Sequence, residues 1–223
     1  MTDKSNERLR SLLCMAMLAA LVIVADIFLR IPGIGGFLTY EPKDVILTIG
    51  GFIFGAVPGI IMSLIVCLVE MVTVSTTGPI GLLMNFLSSA VFVGVSAVIY
   101  SRKKTLSRAI IGLIAGSLAM TAIMLLWNYI ITPVYMNVPR EAVVQMILPL
   151  LLPFNLLKTA LNSVLVLFLY KGVVTALRRS HLIPERESND GEKKKINTVL
   201  LISISAVLAV TLVLVMLIFA GIL

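Results

Sequence analysis

The sequence predicts an all-α, polytopic integral membrane protein, and three observations carry that reading. Of 223 residues, 59% are hydrophobic and only 13% are charged, about half the charged content usual in soluble domains. The apolar residues fall in runs of about twenty, the length that crosses a bilayer as a helix. The basic residues collect in alternate connections between those runs, as the positive-inside bias requires.

The first apolar run, residues 9–29, follows a polar start and is not followed by a small-residue cleavage site, so it is expected to be a retained helix. Residues 30–43 hold Pro32, Gly33, Gly35, Gly36 and Pro42 and are expected to form a loop. The next stretch, 44–74, is too long for one span and is broken at Gly55–Ala56–Val57–Pro58–Gly59. It predicts two short helices, about 44–57 and 58–73, with Pro58 in the first turn of the second. Residues 75–79 read as a turn, and about 80–100 as a fourth helix. A basic segment, 101–108, leads to a fifth helix at about 109–131. Residues 132–139 read as a loop, with Pro133 and Pro139 as breakers. A sixth helix starts near Glu141 or Pro149 and runs to Leu177, bent or delayed by Pro149 and Pro153. The expected organisation is a membrane domain over 1–178, a charged linker over 179–195 and an additional C-terminal span over 196–223.

Orientation follows from Lys and Arg. With the N-terminus inside, the inner segments hold Lys4, Arg8, Arg10, Arg102, Lys103, Lys104, Arg108, Lys171, Arg178, Arg179, Arg186, Lys193, Lys194 and Lys195, fourteen of the 18 basic residues. Arg30, Lys43 and Arg140 remain outside, and Lys158 lies within a span. The net charge of +7 is thus assigned to loops beside anionic lipid rather than to nucleic-acid binding. Cys14 and Cys67 lie in apolar runs and read as buried thiols, with no disulfide framework.

Ionisable residues within spans are costly and mark candidate functional positions. Lys158 is the strongest. Asn155 lies three residues before it and Asn162 four after, so the three share a helix face. They are either polar glue between helices, with the lysine reaching for the interface, or a ligand-binding stripe. Asn128, between Trp127 and Tyr129, stands in an aromatic belt or offers an amide that can read a planar heterocycle. The segment Gly35–Gly36–Phe37–Leu38–Thr39–Tyr40–Glu41–Pro42–Lys43–Asp44 is a connector or a lid, with Asp44 as a possible cap of the next helix. Asp26 and Glu70 are expected near outer helix ends in structural roles. Asn85, Ser88 and Ser89 are polar contacts or helix-packing residues. Ala16 and Ala20, four apart, allow close approach of a second helix.

Several classes are set aside. No phosphate-binding loop of the Gly-x-x-x-x-Gly-Lys-Ser/Thr type occurs, so ATP is not expected to be used by that route. His181 is the only histidine and falls in the linker, which argues against a zinc or histidine-based catalytic centre in the membrane. Neither a channel filter nor two inverted halves can be read. No enzymatic activity and no cofactor are expected.

Taken together, Tyr40–Glu41–Pro42–Lys43–Asp44, Gly50–Gly51–Phe52–Ile53–Phe54–Gly55, Leu126–Trp127–Asn128–Tyr129 with Thr132–Pro133, and Pro153–Phe154–Asn155–Leu156–Leu157–Lys158 resemble the riboflavin-specific S components of energy-coupling factor (ECF) transporters over residues 9–178. The resemblance implies a six-helix substrate-binding bundle, with the seventh helix as a departure from the common form. It implies riboflavin as transported ligand, captured from the outer face. It implies a transmembrane T component and two cytoplasmic ATPase subunits as partners, with Ala16 and Ala20 at the T-component docking motif. It implies ligand contacts at Asn128, Asn155 and Lys158, and an outer loop that covers the site. The expected substrate-binding set is Leu38, Thr39, Tyr40, Lys43, Asn85, Asn128, Asn155 and Lys158. An S component for another vitamin, a structural membrane subunit and an integral-membrane enzyme are the competing readings.

Overall fold

The computed structural model describes residues 2–34, 38–75, 77–180, 182–183 and 198–219. The first helix, α1 (Thr2–Leu29), buries Cys14, Leu18, Val22 and Asp26, a four-residue repeat on one face. The opposite face stays exposed along Leu9, Leu13, Met17, Leu21 and Val24, and Ala16 and Ala20 lie on it. Such a lipid-width apolar face is what a membrane helix presents.

The connection after α1 is not a plain loop. Strands β1 (Ile31–Ile34) and β2 (Leu38–Tyr40) pair antiparallel, Ile31 opposite Tyr40 and Ile34 opposite Leu38. Backbone groups at the edge of the hydrocarbon layer need partners, and the two strands supply them to each other. Gly35, Gly36 and Phe37 lie outside the described residues.

Next come α2 (Lys43–Phe54) and α3 (Ala56–Thr73), joined at Gly55, whose φ of 105° favours glycine. The expected break is found, with α2 ending three residues early. At 12 residues, α2 is about 18 Å long, half a bilayer core. Among the described residues, five helical stretches are long and apolar enough to cross a membrane: 8–29, 56–73, 78–102, 106–136 and 140–179. The chain is therefore multi-pass and mostly helical, but α2 does not reach the expected span length.

Helices α4 (Gly78–Arg102) and α5 (Leu106–Met136) pack closely. A Cβ on Gly112 would lie 2.7 Å from the Ser96 carbonyl oxygen, and one on Gly116 would lie 2.9 Å from that of Phe92. Glycine lets the two backbones approach, and the Ser96 hydroxyl donates to the Gly112 carbonyl at 3.1 Å. Gly51 and Gly59 do the same for α2 and α3 beside Val93. The expected loop at 132–139 is corrected: α5 continues through Pro133 to Met136 and ends on Asn137, left-handed at φ 54°. Neighbouring helices and local hydrogen bonds make an interior proline tolerable in a membrane helix.

A short helix, α6 (Arg140–Met146), passes into a π-helical turn at residues 147–151 and then into α7 (Leu152–Arg179). Pro149 sits in that turn and Pro153 in the first turn of α7, so regular α-helix resumes only at Leu152. A further helix, α8 (Thr198–Phe219), packs on α7. Of the expected linker, 181 and 184–195 lie outside the described residues. Cys14 and Cys67 are free and buried.

Candidate functional site

A cavity of about 60 Å³ opens where the hairpin meets the ends of α4, α5 and α7. Its walls come from four places. The hairpin side gives Arg30, Leu38, Thr39 and Glu41. The start of α4 gives Met84, Asn85 and Ser88, beside Thr77. Helix α5 gives Met120, Met124 and Asn128, and α7 gives Phe154, Asn155 and Lys158. Asn155 and Lys158 share a face of α7, one turn beyond the π segment that turns this face inward.

A buried charge network ties the hairpin to the bundle. Arg30 reaches Glu41 at 3.1 Å and donates to the Val74 carbonyl at 3.1 Å. Lys43 lies 2.7 Å from Glu41 and 2.5 Å from Glu70. Burial alone would raise the Glu41 carboxyl, but the positive charges of Lys43, Lys158 and Arg30 outweigh it and hold that carboxyl well below the usual carboxylate range. The Tyr40 hydroxyl donates to Asn162 Oδ1 at 3.0 Å. Burial, and then the Asp44 charge, push the Tyr40 phenol upward, so it stays a donor. Asp44 accepts from the Ser89 hydroxyl at 2.5 Å and, at 3.5 Å, from the Asn162 amide. The hairpin strand β2, α2, α4 and α7 are thus joined by polar bonds within an apolar bundle.

The cavity amides are only partly used by the protein. Asn155 donates to the Leu151 carbonyl at 2.7 Å, a carbonyl within the π-helical turn. Asn128 donates to the Met124 carbonyl at 2.7 Å and accepts from the Thr132 hydroxyl at 2.9 Å. Each amide retains a second N–H. Lys158 is 6% exposed, and among the described residues it has no hydrogen-bond or ion-pair partner.

Six of the eight expected binding residues therefore meet at one cavity: Leu38, Thr39, Asn85, Asn128, Asn155 and Lys158. Tyr40 and Lys43 lie outside its lining and are engaged with Asn162, Glu41 and Glu70. Asp44 is not a helix cap; Pro42 holds that position, and the Asp44 carboxylate bonds across the bundle instead. Asp26 and Glu70 lie in the last turns of α1 and α3, as expected, and are buried. Among the described residues, both Asp26 oxygens lack a hydrogen-bond partner. Trp127 packs against the core, and Arg140 stacks over the Tyr129 ring at 5.1 Å, so neither aromatic lines the cavity. Sequence reasoning missed Arg30 and Glu41 as wall residues, although an opposite-charge pair flanking a Gly- and Pro-rich loop is a readable signal. It also missed Met84, Met120 and Met124, which in an apolar helix carry no distinguishing signal.

Comparison with known proteins bears on the family of the chain. Residues 10–170 match the family model described as ECF transporter, substrate-specific component. The chain is 30% identical over 177 residues to the Riboflavin transporter RibU of Staphylococcus aureus, covering 76% of this chain and 93% of that one. It is 23% identical over 188 residues to the Riboflavin transporter FmnP of Bacillus subtilis, covering 78% and 99%. A solved structure described as the S component of a bacterial ECF transporter superposes with a TM-score of 0.65 at 30% identity, over 77% of this chain and 99% of that one. On this match and on its fold, the chain belongs to the family of substrate-specific components of ECF transporters.

Proposed function

We propose that this chain is the riboflavin-capturing subunit of an ECF importer, with its N-terminus cytoplasmic and its hairpin at the outer face. The observation that carries the reading is Lys158: a buried ammonium with no hydrogen-bond or ion-pair partner among the described residues, on the wall of a cavity shared with Asn155 and Asn128. An unpaired buried charge is expensive, and a polar guest that accepts from it offsets that cost. The pyrimidine edge of an isoalloxazine alternates carbonyl and N–H groups, which two amides and an ammonium complement. Phe154, Leu38 and the methionines supply apolar walls for its rings.

The cavity's 60 Å³ is well below the roughly 300–1,000 Å³ of small-molecule sites. A three-ring guest therefore needs Met84, Met120 and Met124 to repack, which unbranched thioethers do readily, and the hairpin to shift. The lack of a phosphate-binding loop in this chain fits a division of labour in which a T component and two ATPase subunits supply the energy. Exposed Ala16 and Ala20 on α1 suit close docking of a partner helix. The test is titration of the purified full chain with riboflavin, followed by flavin absorbance and fluorescence, with other vitamins as competitors. Saturable binding displaced only by flavins is expected. Absence of binding, or preference for an unrelated vitamin, rejects the assignment.

A further inference from the structure

A second and larger cavity lies at the opposite end of the bundle, where α1, α2, α4 and α7 converge. It encloses about 430 Å³, several times the outer one. Its apolar floor is an aromatic trio: Phe52 stacks on Tyr100 at 4.2 Å between ring centroids, and Tyr170 meets both edge-on at 5.9 and 6.0 Å. The Tyr100 and Tyr170 hydroxyls are 2.7 Å apart. The polar rim is Ser11, Lys104 and Arg178, and among the described residues no acidic side chain lines the cavity. Among the described residues, the Nε of Arg178 is buried without a hydrogen-bond partner. Three helices, α2, α4 and α7, end here and bring roughly half a negative charge each. The two cations of the rim oppose these ends, and Arg10, Arg102, Lys103 and Arg179 add to the basic end.

We infer that this cavity is a second binding site, for a phosphate-bearing anion. A guanidinium, an ammonium and hydroxyls around one pocket are the donor set that phosphate oxygens accept, and a buried guanidinium N–H without a partner leaves a donor for one of them. Two sources of the same group suit the location: a small soluble phosphate compound, or the headgroup of an anionic phospholipid at the membrane surface. The site is separate from the outer cavity, so it stands whether or not riboflavin is the outer ligand.

The test uses the full chain in neutral detergent and in lipid nanodiscs. Thermal unfolding is followed with inorganic phosphate against chloride at matched ionic strength. It is also followed in phosphatidylcholine nanodiscs with and without phosphatidylglycerol. A saturable rise with phosphate assigns a soluble anion; a rise with phosphatidylglycerol alone assigns a lipid headgroup. Either response should weaken by at least about fivefold in Arg178→Gln with Lys104→Gln. Lys104→Gln alone changes an exposed side chain and serves as the milder variant should the double one unfold. Riboflavin titration of the same variants should be unchanged, which separates this site from the outer one. No response to either anion, or an undiminished response in the variants, overturns the inference.

Discussion

Lys43 and Glu70, 27 positions apart, meet at 2.5 Å from Nζ to Oε2, with side chains 1% and 4% exposed. The same ammonium also contacts Glu41. The Lys43 ammonium is held by two carboxylates in direct contact, whereas that of Lys158 acts on Glu41 only from a distance. Two buried lysines therefore differ in role, and substitution separates them.

Lys43→Met should cost about 3–5 kcal/mol, because it strands the buried Glu70 carboxylate and leaves Glu41 with Arg30 alone. The loss is read as a lowered unfolding midpoint in detergent. An unchanged midpoint would show that the network contributes nothing.

Lys158→Met and Asn155→Ala should keep the fold and lose the ligand. Leaving guest groups unpaired costs about 1–3 kcal/mol each, or roughly 5- to 150-fold in affinity. Riboflavin titration measures this. Full affinity in both variants would remove the outer cavity as the binding site.

Glu41 sets an acid limit on hairpin anchoring. Its carboxyl is held below the ordinary value of 4.5, so its stabilising contribution is complete above that pH. The contribution fades as pH falls through the lowered folded value. Comparing unfolding midpoints from neutral pH downward, the wild type should lose stability more steeply below about pH 4.5 than Glu41→Gln. Parallel curves would contradict the clamp.

Gly112→Ala tests the α4–α5 contact. The new Cβ meets the Ser96 carbonyl oxygen at 2.7 Å, and a backbone atom yields little. A destabilisation of about 1–3 kcal/mol is expected, without loss of affinity in the protein that folds. A neutral result would mean that the helices are looser than drawn.

Ala16→Trp addresses partner docking. Ala16 lies on the exposed face of α1, so a bulky ring there should leave folding and riboflavin binding intact. It should abolish co-purification with the membrane partner. Retained co-purification would move the docking surface elsewhere.

Helix order, the break at Gly55 and the delayed start of α7 after Pro149 were legible because glycine and proline act on their own backbone, whatever surrounds them. The Asn155–Lys158 stripe was legible because amide and ammonium groups are costly in lipid and share a face at a spacing of three. Pro133 was misread as a breaker, since its cost depends on neighbours that re-satisfy the helix. The β1–β2 pairing was also missed, because its short strands lie in a segment dominated by turn residues. Lys43 and Asp44 could not be sorted into ion-pair and hydrogen-bond partners without knowing that Glu70, Ser89 and Asn162 come within reach.

By itself the sequence determined that the chain is multi-pass and helical, and which polar side chains the membrane must accommodate. Apolar run length and local backbone chemistry need no tertiary information. Only the tertiary structure decided which of those side chains satisfy one another and which remain open to a guest. Hydrogen bonds and ion pairs act over about 3 Å, and residues more than a hundred positions apart, such as Tyr40 and Asn162, come that close only when the helices pack.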